Sequence, residues 1–125
     1  MIVGIGVDWI EHVRVEQELA HGAWKPREGV FTESEIERCE CGVRPGARYA
    51  ACFAAKEATL KALGIEVADL GLLREVEVLM GRTAEHAIEL HARTKHEAQR
   101  LGVKRIWLSI ASTTKHAGAV VVMES

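Results

Sequence analysis

From Ile2 to Val7 the chain is apolar and β-branched, with Gly4 and Gly6 set two residues apart. That pattern predicts a buried strand whose glycines leave its backbone open to close approach. Ile10, Val13, Arg14, Gln17 and Glu18 then recur at helical spacing and predict a first helix. Between His21 and Val30 the pattern breaks at Gly22, Pro26 and Gly29. Thr32-x-x-Glu35 is a capping box, and Phe31 just ahead of it suits a hydrophobic staple, so a second short helix starts there. Gly42 to Gly46 is a loop holding Pro45, and Ala47 to Leu63 is an Ala-rich helix ended by Gly64. Val76, Val78 and Met80 alternate with Glu75, Glu77 and Leu79, predicting a strand, and Ala87 to His91 suits its hairpin partner. Ala92 to Leu101 is a polar helix stopped at Gly102, and Arg105 to Ala111 and Gly118 to Met123 read as two final strands. Helices and strands are segregated rather than strictly alternating. The predicted fold is α+β, a mainly antiparallel sheet packed with a long Ala-rich helix.

At 125 residues, with no Pro/Ser-rich linker or internal repeat, residues 1–125 are expected to form a single domain. The net charge of −2 provides no global field for nucleic acid or an anionic membrane, so any acidic partner needs a local patch. Cys39, Cys41 and Cys52 are too few and too irregular for a disulfide framework, which suits a reducing, cytoplasmic setting. Their spacing does not match a standard zinc pattern. No apolar run approaches membrane-spanning length, and no basic segment precedes an apolar one at the start, so neither export nor membrane insertion is expected.

Two places hold candidate chemistry. Gly4-Ile5-Gly6-Val7-Asp8 lacks the third glycine of a dinucleotide fingerprint and leaves a carboxylate, Asp8, at the exit of a buried strand. Spacing favours Asp8 as the cap of a helix beginning at Trp9, a role compatible with facing a cleft. On the Ala-rich helix, Phe53, Glu57, Leu60 and Gly64 share one stripe, so Glu57 sits among apolar neighbours. An ionised carboxylate is costly there unless paired or bound to a metal. Lys61, one turn on, provides the pairing alternative. His86, His91 and His96 recur every five residues, which does not align them on a helix, and structural roles suit them better than metal ligation. Ser109 and Ser112 lie in no nucleophile-elbow motif.

Together these segments resemble the holo-acyl-carrier-protein synthase family of 4′-phosphopantetheinyl transferases. The resemblance rests on Gly4 to Asp8, Glu11 and Arg14, Phe31-Thr32 with Glu35, Phe53 to Ala58, Lys61 to Gly64, and Ser109 to Ser112 ahead of Ala117 to Val122. It covers nearly the whole chain and implies a 4′-phosphopantetheinyl transferase-like fold. The implied reaction is magnesium-dependent transfer of 4′-phosphopantetheine from coenzyme A to a serine of an apo acyl carrier protein, releasing 3′,5′-ADP. By resemblance Asp8 and Glu57 hold the metal, Glu57 and Lys61 are catalytic, and Lys61, Gly64 and Ser112 contact coenzyme A. Arg14 docks the carrier protein, and the assembly is a homotrimer with the donor cleft between subunits. The chain departs from the family at Cys52 (usually Arg), at Ile65-Glu66 (usually Thr-Gly) and at Ala111-Ser112 (usually Ser-His). These departures are expected at the donor end, near the 3′-phosphate. Two alternatives follow from them: a carrier-protein-binding non-enzyme with an eroded coenzyme A site, or an enzyme that uses another diphosphate donor.

Overall fold

The structure, a computed structural model, describes residues 1–81 and 85–125. Among them run β1 (Ile2–Glu11), α1 (His12–His21), α2 (Glu33–Glu40), α3 (Pro45–Leu63), α4 (Gly71–Arg74), β2 (Val76–Met80), β3 (His86–Leu90), α5 (Ala92–Arg100), β4 (Arg105–Ser112) and β5 (His116–Glu124). The expected α+β class holds. One antiparallel sheet has the order β1-β5-β4, and β2 and β3 form a separate antiparallel hairpin.

The Ala-rich helix α3 is the hub. Pro45 stands at its start, where the missing N–H costs nothing, and Gly64 ends it in the left-handed region at φ 72°. Ala50, Ala54, Ala55, Ala58 and Ala62 are all buried, and small side chains on several faces let neighbours approach from more than one side. The closest approach is to β1. A Cβ on Gly6 would lie 1.8 Å from the Ala58 carbonyl oxygen, and one on Gly4 would lie 2.0 Å from that of Ala62. The two glycines therefore let the helix rest directly on the strand backbone.

β1 corrects the expected first helix. It continues to Glu11 because β5 pairs with it throughout, Asp8 opposite Ala119, Ile10 opposite Ala117 and Glu11 opposite His116. Asp8 is thus a mid-strand residue and caps no helix; α1 starts at His12, with no side-chain cap. Its buried face carries His12 and Val15, while Val13 stays 57% exposed. The capping box of α2 forms as expected, Thr32 Oγ1 accepting from Glu35 N–H and Glu35 Oε1 from Thr32 N–H at 2.8 Å. Phe31 is fully buried and packs edge-on to Tyr49 with ring centroids 4.9 Å apart. No helix of the described residues is long and apolar enough to cross a membrane.

Candidate active site

Strand periodicity places Gly4, Gly6 and Asp8 on one face of β1, the face that meets α3. The two glycines seat the helix, and the next residue on that face, Asp8, then faces its Glu57–Lys61 turn. Lys61 Nζ donates to Asp8 Oδ1 at 2.9 Å and to the Val7 carbonyl at 3.0 Å. Asp8 and Glu57 line a common cavity of about 370 Å³ with Arg14, Glu18, Trp9, Ile10, Trp24, Phe53, Leu70 and Leu73. One end is ionic and the other apolar, with Trp24 packed on Phe53 at a centroid distance of 4.1 Å.

The Glu57 carboxyl is held above its ordinary range. Burial is the main cause, the negative charge of Asp8 adds to it, and Lys61 offsets part of it. Counting Glu18 and Arg14, which also line the cavity, three carboxylates face two cations, Arg14 and the Lys61 bonded to Asp8, so Asp8 and Glu57 stay short of positive charge. Such a pair of hard oxygen donors, with room beside them for further oxygen ligands, suits a magnesium ion.

The other expected site residues are not all brought together. Arg14 lines the cavity from α1, exposed at its mouth. Gly64 caps α3, and Ser112 ends β4 as an exposed residue; neither lines the cavity. Within one chain the departures from the family pattern fall in three places. Cys52 is the clearest correction: it is fully buried, and its thiol donates to Glu35 Oε2 at 3.3 Å. On α3 it lies one residue before Phe53, rotated about 100° from the cavity-facing stripe, so it cannot touch a ligand there. Ile65 and Glu66 line a different cleft, of about 650 Å³, with α5 residues Arg93 and His96. Ala111 borders a small recess of about 140 Å³ on the other face of the sheet, with Trp9, Ser109 and Asp8 itself.

Cys39 and Cys52 are buried and Cys41 is exposed, so the three thiols share no site. On the hairpin, Glu77, Glu89 and His91 bring ligand-type atoms within 4.8 Å of one another. Glu77 is already engaged by Thr32, Ser34 and His91, and none of the three lines the cavity. Sequence reasoning missed Trp24, Leu70 and Leu73, which come from an irregular segment and a one-turn helix that carry no readable period.

The family model of the 4′-phosphopantetheinyl transferase superfamily matches residues 4–121. The holo-[acyl-carrier-protein] synthase of Solibacter usitatus is 37% identical over 125 residues, with all of both chains covered. Among solved structures, that of Bacillus anthracis holo-(acyl-carrier-protein) synthase in complex with CoA (3′,5′-ADP) has a TM-score of 0.79 at 31% identity, covering 100% of this chain and 98% of the other. The Neisseria meningitidis holo-[acyl-carrier-protein] synthase reaches a TM-score of 0.87 with full coverage of both chains, and at 23% identity it speaks for the fold alone. The chain belongs to the 4′-phosphopantetheinyl transferase superfamily and, within it, to the holo-[acyl-carrier-protein] synthase family. That membership makes it a transferase.

Proposed function

We propose that residues 1–125 form one transferase domain that moves 4′-phosphopantetheine from coenzyme A to a serine of an apo acyl carrier protein. The observation that carries this is that Asp8 and Glu57 line one cavity, with Lys61 bonded to Asp8 beside it, in a chain of this family. Asp8 and Glu57 would hold magnesium, which supplies charge neutralisation on the pyrophosphate of the donor. The serine oxygen forms a bond to the phosphorus that bears pantetheine, and the bond from that phosphorus to the bridging oxygen breaks. 3′,5′-ADP leaves with the electron pair. Glu57 takes the serine proton. Lys61 balances charge on the phosphates, and Arg14 at the cavity mouth meets the acidic carrier protein.

Gly64 and Ser112, with Lys61, are assigned to the donor. Ser112 does not line the cavity of its own chain, which fits a donor cleft completed by a second subunit. A homotrimer is supported by the outer face of the three-stranded sheet. Ile5, Val7, Trp9, Trp107 and Val120 lie there between 41% and 59% exposed, and the register sets Val7 beside Val120 and Val122 between Ile5 and Trp107. An apolar face of that kind is a self-association surface. The test is to incubate the protein with coenzyme A, magnesium and a panel of apo carrier proteins and to read their masses. A carrier gaining one phosphopantetheine group, with metal chelation preventing it, is the expected result; no mass change on any carrier defeats the proposal.

A further inference from the structure

Directly before Glu57 stands a charged residue in a different setting. Lys56 is fully buried, as is its partner Glu35, with Nζ 2.6 Å from Oε1. The three ammonium hydrogens meet three acceptors: Glu35 Oε1, the Leu73 carbonyl at 2.8 Å and the Val76 carbonyl at 2.5 Å. Glu35 is equally saturated. Its Oε1 also accepts from Thr32 N–H, and its Oε2 accepts from Val78 N–H at 2.7 Å and from the Cys52 thiol.

Stability alone is a poor account of this pair, because apolar side chains of similar volume hold a core as well or better. What the lysine reaches gives a fuller one. Its two carbonyl partners bracket the junction of α4 and β2, and Leu73, with Leu70, forms a wall of the cavity that holds Asp8 and Glu57. α4 is a single turn, too short to hold its own place, so it depends on bonds from around it: Asp69 Oδ1 accepts from Leu72 N–H at 3.2 Å, Arg74 donates to the Glu28 carbonyl at 2.8 Å, and Lys56 ties it to α3.

We propose that Lys56 is a positioning residue: by clamping the Leu73 and Val76 carbonyls to α3 one residue before Glu57, it sets the cavity wall against the reacting groups. The assignment rests on the transferase reading of this cavity. Glu35 keeps the lysine aimed, while the two carbonyl bonds do the positioning.

Two substitutions separate the clamp from the ion pair. Lys56→Met keeps most of the side-chain length and removes all three donors. Glu35→Gln removes the carboxylate charge but leaves Lys56 its carbonyls. Lys56→Met is expected to lower kcat/KM for coenzyme A by about 100-fold, the scale of a small misplacement in an active site. KM should rise as kcat falls, whereas a merely less folded enzyme would lose kcat alone. Hydrogen exchange at the Leu72–Arg74 amides should quicken in Lys56→Met and stay near normal in Glu35→Gln, which keeps transfer within about tenfold. If Lys56→Met does not fold, the double variant Glu35→Gln/Lys56→Met leaves no unpaired buried charge and carries the same expectation. Equal loss of transfer in the two single variants overturns the proposal. So does transfer within about twofold of normal in either variant lacking Lys56, or undisturbed α4 exchange there. No transfer by the unsubstituted protein would instead overturn the transferase reading, while the exchange comparison would still decide whether Lys56 clamps α4.

Discussion

At the scale of single residues, the carboxyl of Glu57 ties stability to function. Its raised proton affinity means that the folded state holds the proton more tightly than the unfolded chain does. The stability this contributes is full below the unfolded value of about 4.3 and is lost as pH rises through the folded value. Glu57→Gln should therefore raise the melting temperature near pH 7.5 without metal, and gain little at pH 4. Asp8→Asn removes the neighbouring charge and should also stabilise the metal-free protein, less so because Lys61 loses its partner. Both should abolish magnesium-dependent transfer; thermal melts at two pH values and the carrier-mass assay check this, and retained transfer in both would refute the metal site. A second residue stores strain. Ala92, exposed at the start of α5, has φ 48°, a left-handed conformation that disfavours a side chain by about 1–2 kcal/mol. Glycine gives back about 0.5–1 kcal/mol through unfolded-chain entropy, so Ala92→Gly should stabilise by about 0.5–1 kcal/mol in urea unfolding.

At the scale of elements, the contact between β1 and α3 decides where the chemistry sits. It is a backbone-on-backbone seat, so a methyl group at Gly6 meets the Ala58 carbonyl and not a side chain that can swing away. Gly6→Ala should cost about 3 kcal/mol, the upper end for overpacking a core. It should also lower transfer in the fraction that folds, because Asp8 would move with the strand relative to Lys61 and Glu57. Denaturation midpoints together with transfer rates per folded molecule test both halves; a stable, fully active Gly6→Ala would show that the strand and helix have room to separate.

For the whole molecule, the sheet has two faces with opposite assignments. One packs on α3, and the other exposes Ile5, Val7, Trp9, Trp107 and Val120. Small domains gain most from burying such a face, since they bury a smaller share of their own surface. Placing a lysine at Ile5 and at Val120 should convert a three-subunit particle to monomers in light scattering, and should depress transfer if a neighbour completes the donor cleft. A monomeric unsubstituted protein at micromolar concentration would remove the shared site.

Much of this was legible along the chain because it depends on local rules. The cap of α2, the Ala-rich course of α3 and its Gly64 stop, and the alternating hairpin are each set within a few residues by periods and caps. The family resemblance added Asp8, Glu57 and Lys61 as a set; in the fold Asp8 and Glu57 line one cavity and Lys61 bonds Asp8. What only the tertiary structure decided depends on partners distant in sequence. Asp8 reads locally as a helix cap, but β5, more than a hundred residues later, pairs with β1 past it and keeps it in a strand. Cys52 aligns with a ligand-contacting position, yet the rotation of α3 and the packing of α2 turn it toward Glu35 in the core. Trp24, Leu70 and Leu73 carry no signal of their own and acquire a role when α3 packs against them. Sequence periodicity reports which side of an element is buried; the fold alone determines what lies against it.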